Sequence, residues 1–172
     1  MRASSRTSRR GAFTLIEAAM ATTIVAIMIG GGLAAVTQAR KSRNLAEERA
    51  QARQVASMLL EEALALAYED PQEPGGLIGP DTYEDPSDRF GFDDTDDYHG
   101  LLLQPVTDSN AAWLTDVSWI AEFRVVWIDL SDATAERASD TGIKRIELVL
   151  RRGDRIVLRA GGVKSRGWEA LQ

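Results

Sequence analysis

An unbroken run of 22 uncharged residues, 18–39, constrains this 172-residue chain more than any other feature. As a helix rising ~1.5 Å per residue it would be ~33 Å long, close to the ~30 Å hydrocarbon core of a bilayer. Arg2, Arg6, Arg9 and Arg10 precede it, and residues 1–12 contain no acid. Such a flank holds an amino terminus in the cytoplasm and sends the remainder of the chain outward. A cleavable secretory signal has a shorter apolar region, about 7–15 residues, with a small-residue site on its far side. Here the small pair Gly11-Ala12 lies before the run. A plain signal anchor satisfies the length and the charge but leaves Glu17 unexplained. An acid at the centre of a membrane helix costs roughly 2.5–3.5 kcal/mol, less near the interface, which makes it a functional candidate by default.

The stretch "GAFTLIE", residues 11–17, follows a short basic leader and opens the apolar run. It resembles the class III signal of type IV pilins and type II secretion pseudopilins. That resemblance implies cleavage of the leader by prepilin peptidase and N-methylation of the new terminal residue, Phe13. It implies a bitopic precursor in a bacterial inner membrane, amino terminus cytoplasmic and head periplasmic, later drawn into a filament. Its partners would be the peptidase, the lipid bilayer, other pilin or pseudopilin subunits and an inner-membrane assembly platform. The family places Gly directly before Phe, whereas Ala12 intervenes here. Cutting after Gly11 makes Glu17 the sixth residue. Cutting after Ala12 makes it the fifth, the family register and the favoured reading. Glu17 would then meet the terminal amine of an axially offset neighbour, a pairing that a low dielectric strengthens. Ala26, Gly30 and Ala34, and Gly31 with Ala35, recur every four residues and permit close helix packing; the Gly30-Gly31-Gly32 triplet is equally a weak point in the helix.

Residues 40–68 read as a continuation of the helix, free of Gly and Pro, with an apolar stripe of Leu45, Ala52, Val55, Leu59, Ala63 and Leu66. A continuous helix from Thr14 would have about 55 residues; a break at the glycines would make two helices. Pro71, Pro74 and Gly75-Gly76 end it.

Residues 69–97 hold eleven acids against the single Arg89, while residues 13–68 and 98–172 are each charge-balanced. The formal net charge of −6 becomes −10 if the four leader arginines are removed. This balance disfavours nucleic-acid partners, although Arg151, Arg152, Arg155 and Arg159 form a local basic set. Residues 69–112 read as a long acidic loop. Within it, "FGFDDTDDYHG" reads as a solvated acidic turn, with Asp93, Asp94, Asp96 and Asp97 as weak calcium candidates. The EF-hand order is absent. The stretch also resembles a segment of minor pilins of the mannose-sensitive haemagglutinin pilus group.

Residues 113–172 carry strand patterning and a tail. Phe123, Val125 and Trp127 alternate with Glu122 and Arg124, which share a face with Val126 and Ile128. Ile146, Leu148 and Leu150 alternate likewise, as do Ile156 and Leu158 beyond a hairpin turn at Gly153-Asp154. An antiparallel sheet of three or four strands should lie on the helix at residues 45–66, with Trp113, Trp119 and Trp127 filling the interface.

The expected fold is therefore α+β: a long amino-terminal helix, its first half membrane-spanning, packed on a small antiparallel pilin-like sheet. Its segments are the leader (1–12), the membrane or filament-core helix (13–39), the amphipathic helix (40–68), the acidic loop (69–112) and the sheet with its tail (113–172). No cysteine is present, His99 is the only histidine, and no phosphate-cradling loop appears. The expected role is a non-enzymatic minor pilin or pseudopilin without cofactor, calcium aside. The alternative is a signal-anchored single-pass protein whose acidic head binds calcium or a partner.

Overall fold

The computed structural model describes residues 14–70, 75, 77–81, 84, 85, 89–108 and 110–169, the side chains of 168 and 169 excepted. Gly11, Ala12 and Phe13, with the leader, lie outside the described residues. Helix α1 is Leu15–Ala65, 51 residues without a break, so the glycine triplet stays helical. The chain divides into two compact units between Ala46 and Glu47, inside this helix.

In the first unit every described residue is exposed, Leu45 included, although the apolar stripe of the sequence places Leu45 against the head. The unit contains a segment long and apolar enough to cross a membrane.

In the second unit α1 contributes Ala52, Val55, Ala56, Leu59, Leu60 and Ala63 to the core. The i, i+3, i+4 spacing sets them on one stripe, and three alanines keep it narrow. Strand β1 is Leu102–Leu103, β2 Trp119–Ile128, β3 Glu136–Arg137, β4 Ile143–Arg152 and β5 Arg155–Ser165. All pairings are antiparallel, in the order β1-β2-β4-β5, with β3 also paired to β2. Three long strands carry the sheet, and two two-residue strands join it at β2. A short helix α2, Arg166–Glu169, follows β5. The α+β layout expected from sequence is present, a long amino-terminal helix with a small antiparallel sheet.

Trp119, Ala121, Phe123 and Val125 of β2, with Ile146, Leu148 and Leu150 of β4, complete the core. Each fully buried large apolar side chain contributes about 1.5–3 kcal/mol. Three details depart from the sequence reading. Trp113 is 65% exposed rather than interfacial, because it precedes β2 and strand parity does not govern it. Val126 and Ile128 are buried although they alternate with the core residues, and β3 pairs alongside at Trp127 and Ile128. Ile156 is 39% exposed because a bulge opposite Leu150 and Arg151 shifts β5 by one residue. Beyond it Leu158 and Ala160 pack on the core. Gly162 faces α1, and a Cβ there would come within 2.8 Å of the Leu64 side chain.

Candidate functional site

Two places in α1 concentrate polar chemistry, one at each end. At the amino-terminal end Thr14 caps the helix, its Oγ1 accepting the Glu17 N–H at 3.3 Å and its carbonyl accepting the Glu17 and Ala18 N–H groups. Thr14-Leu15-Ile16-Glu17 thus has capping-box spacing, with an acid in the first turn where the helix dipole favours negative charge. That signal was present in the sequence and gives Glu17 a local role besides any intermolecular one. The Glu17 side chain is exposed. Farther along, the Thr22, Thr23 and Thr37 hydroxyls donate to carbonyls three or four residues back, at 2.8–3.0 Å. No hydroxyl among these three needs an outside acceptor, a requirement for polar groups in hydrocarbon. Around Gly30, Gly31 and Gly32 a Cβ would meet nothing within 4 Å, so these faces are open.

At the carboxy-terminal end, the last helix carbonyls lack intrahelical partners and carry the negative pole of the dipole. Side chains from distant elements reach Ala63 O and Leu64 O of this turn and the carbonyls of Leu66, Ala67 and Tyr68 just beyond it. Thr95 Oγ1 donates to Ala63 O at 3.2 Å and Ala67 O at 2.9 Å, and the Thr95 N–H also reaches Ala67 O. Lys164 Nζ, from β5, donates to Leu64 O and Leu66 O. Lys144 Nζ, from β4, donates to Tyr68 O, lies over the Tyr68 ring and forms an ion pair with Asp96. These contacts draw the chain out of α-geometry at Ala65, three residues before the expected end at Tyr68.

The acidic turn is the other half of this construction. It is not solvated: Asp94 is 3% exposed, Thr95 0%, Asp96 7% and Asp97 4%. The turn is internally hydrogen bonded. Asp94 Oδ1 accepts the Asp96 N–H at 2.7 Å, and Asp97 Oδ2 accepts the Asp93 and Asp94 N–H groups, each at 3.1 Å. Tyr98 then enters the core between Phe92 and Phe123, and its hydroxyl donates to Glu62 Oε1 at 2.9 Å. Arg89, almost fully buried, pairs with the same Glu62 at 3.2 Å and donates to Thr107 O. His99 Nδ1 lies 2.8 Å from Val125 O.

Burial pushes the Asp94 carboxyl far above the usual carboxylate range, helped by its hydrogen bond to Asp96 and by the Asp96 charge. Burial raises Asp97 too, against the backbone N–H groups that favour its charged form, and contact with Glu84 adds to the rise. Asp94 and Asp97 are therefore strongly perturbed, contrary to a reading of them as ordinary surface acids.

The sequence comparisons and the structure comparison return no match: no family model, no curated protein and no solved structure resembles the chain significantly.

Of the calcium candidates, Asp96 is committed to Lys144, and Asp94 Oδ1 to backbone N–H groups. Asp93 and Asp97, joined by Glu84, bring carboxylate oxygens within 4.8 Å of one another, and among the described residues this is the set that could hold a hard cation. The sequence reading missed Glu84, nine residues before Asp93. It also missed Lys144 and Lys164, which parity alone could have flagged: Lys144 shares the inward face of Ile146, Leu148 and Leu150. Of the basic set, Arg151 pairs with Glu122, Arg152 with Glu48 and Asp116, and Arg155 with Glu48.

Proposed function

We propose that the chain is a structural subunit of a type II secretion pseudopilus or type IV pilus, a minor pilin or pseudopilin processed by prepilin peptidase. The observation that carries this reading is the combination at the start of α1. A basic leader and small residues run into Phe13-Thr14-Leu15-Ile16-Glu17, and then into an apolar helical segment whose residues 14–46 are all exposed. An uncovered apolar helix of this length needs lipid or other helices around it. The self-satisfied threonines suit either environment. The α+β head supports the same reading, as does the absence of charge between residues 18 and 39. In this reading Glu17 pairs with the methylated amine of a neighbouring subunit and sets the axial register. The protein's work is helix packing and charge pairing, with no catalysis of its own. Its partners are the peptidase, the bilayer, the assembly platform and sister subunits, and its head is periplasmic.

The test is mass spectrometry and amino-terminal sequencing of the chain co-expressed with an active prepilin peptidase and with a catalytically dead one. A methylated Phe13 start is expected. A methylated Ala12 start keeps the class and removes the family register of Glu17. An uncut leader returns the helix to a plain signal anchor.

A further inference from the structure

Between its two ends α1 carries one more charged feature. Arg40, Lys41 and Arg43 follow directly on the uncharged run, all three exposed and all within the unbroken helix. Arg40 lies 23 positions beyond Glu17, or ~35 Å along a helix. With Glu17 at one edge of a ~30 Å hydrocarbon core, that distance puts the three cations in the opposite headgroup layer, since a bilayer with its headgroups measures about 40–45 Å. We propose that Arg40, Lys41 and Arg43 form a binding belt for the phosphates of anionic phospholipids, in the leaflet through which α1 leaves the membrane. The inference rests on the membrane-spanning part of the reading above, and not on leader cleavage or filament assembly.

No acid lies between residues 18 and 46, where these three are the only basic residues. On a helix, side-chain partners stand three or four positions away. For Arg40 and Lys41 those positions hold Val36, Thr37, Gln38, Arg43, Asn44 and Leu45. Arg43 thus adds a like charge one turn from Arg40, a spacing that disfavours an isolated helix. The head treats its cations differently: Arg124, Arg145, Arg152, Arg155 and Arg166 each pair with an acid. Topology raises the same demand for an anion. Basic residues favour the cytoplasmic side of a span, and three of them at the exported end work against that rule. Negative charge supplied by the membrane itself answers both.

The side chains suit this partner. Guanidinium groups grip phosphate oxygens through two parallel N–H bonds, and the lysine ammonium adds a compact point charge. Their long stems lie along the apolar helix while their heads reach the headgroup layer. At ~100° per residue, Arg43, Arg40 and Lys41 cover an arc of about 160°, so one side of the helix meets several headgroups at once. The attraction is Coulombic and falls off within a Debye length of the membrane surface.

The chain has no cysteine, so Asn44→Cys, at an exposed position beside the belt, accepts a single fluorophore. The labelled full-length chain is reconstituted in phosphatidylcholine vesicles that carry a trace of nitroxide-bearing phosphatidylglycerol or, in parallel, of nitroxide-bearing phosphatidylcholine. The anionic quencher should act at least about fivefold more strongly at equal mole fraction, the scale of one basic residue at an anionic surface. Molar salt should erase most of that preference. Arg40→Gln, Lys41→Gln and Arg43→Gln together should remove it while the head keeps its native tryptophan fluorescence. Equal quenching by the two lipids overturns the proposal, as does a preference that survives the triple substitution. Equal quenching with salt-sensitive energy transfer between labelled chains assigns the belt to a second copy of the chain instead. Quenching by neither lipid places residue 44 away from the bilayer and overturns the membrane reading along with the belt.

Discussion

The two ends of α1 carry carboxylates in opposite circumstances. Glu17 is exposed, sits in the first helical turn, and takes its local support from a threonine three residues before it. Asp94, Asp96 and Asp97 are buried near the other end of the helix; Asp96 takes its support from Lys144, 48 positions away, while Asp94 and Asp97 accept N–H groups of their own turn. The first end has a meaning that short-range sequence can express. The second is created by the packing of β4 and β5 against the helix terminus, where Lys144 and Lys164 answer carbonyls and acids together. An acid-rich stretch is thus no guide to solvation until the cations that reach it are known.

Breaking the buried end should give the largest effect. Lys144→Met leaves the Asp96 charge buried and uncompensated, and should destabilise the head by about 3–5 kcal/mol, read as a lower urea midpoint of tryptophan fluorescence in detergent. Thr95→Val removes the hydroxyl that serves Ala63 O and Ala67 O and should cost about 1–3 kcal/mol in the same assay.

Acid and base should sharpen the contrast. Asp94 is raised to about 8 and Asp97 to about 7, so the folded head holds protons that the unfolded chain releases near pH 4. For a carboxyl whose folded pKa is raised, stability is fully present below the unfolded pKa and is lost as pH rises through the folded one. The head should therefore unfold more readily at pH 8 than at pH 5. Asp94→Asn combined with Asp97→Asn should flatten that slope. Glu48 and Asp140 are shifted downward, Glu48 chiefly by its bond to Arg155 and Asp140, in spite of its burial, by the Tyr68 hydroxyl, and these act only at more acid pH.

The smallest effect on the head belongs to the exposed end. Under the filament function proposed above, Glu17→Ala should leave the urea midpoint of the head unchanged and leader cleavage intact, while incorporation into filaments falls sharply. Normal incorporation of that variant would remove the pairing role of Glu17, and a shifted midpoint would show that the two ends of α1 are energetically linked.

Much of the fold was legible because it rests on periodicity. The uncharged run, the stripe from Ala52 to Ala63 and the alternation in β2 and β4 are local patterns, and the structure carries each of them. Ile156 was misplaced because a single bulge inverts parity, and Trp113 because parity does not reach a loop. The acidic turn was misread for a different reason. Its burial depends on Lys144 and on the core positions of Phe92 and Tyr98, and neither dependence has a local signature.

By itself the sequence determined a helix of membrane length with a basic flank and one acid at its mouth, because hydrophobicity and charge act residue by residue along a regular element. Only the tertiary structure decided which acids are solvated and which are buried, because desolvation and pairing depend on neighbours that the chain brings together from far apart.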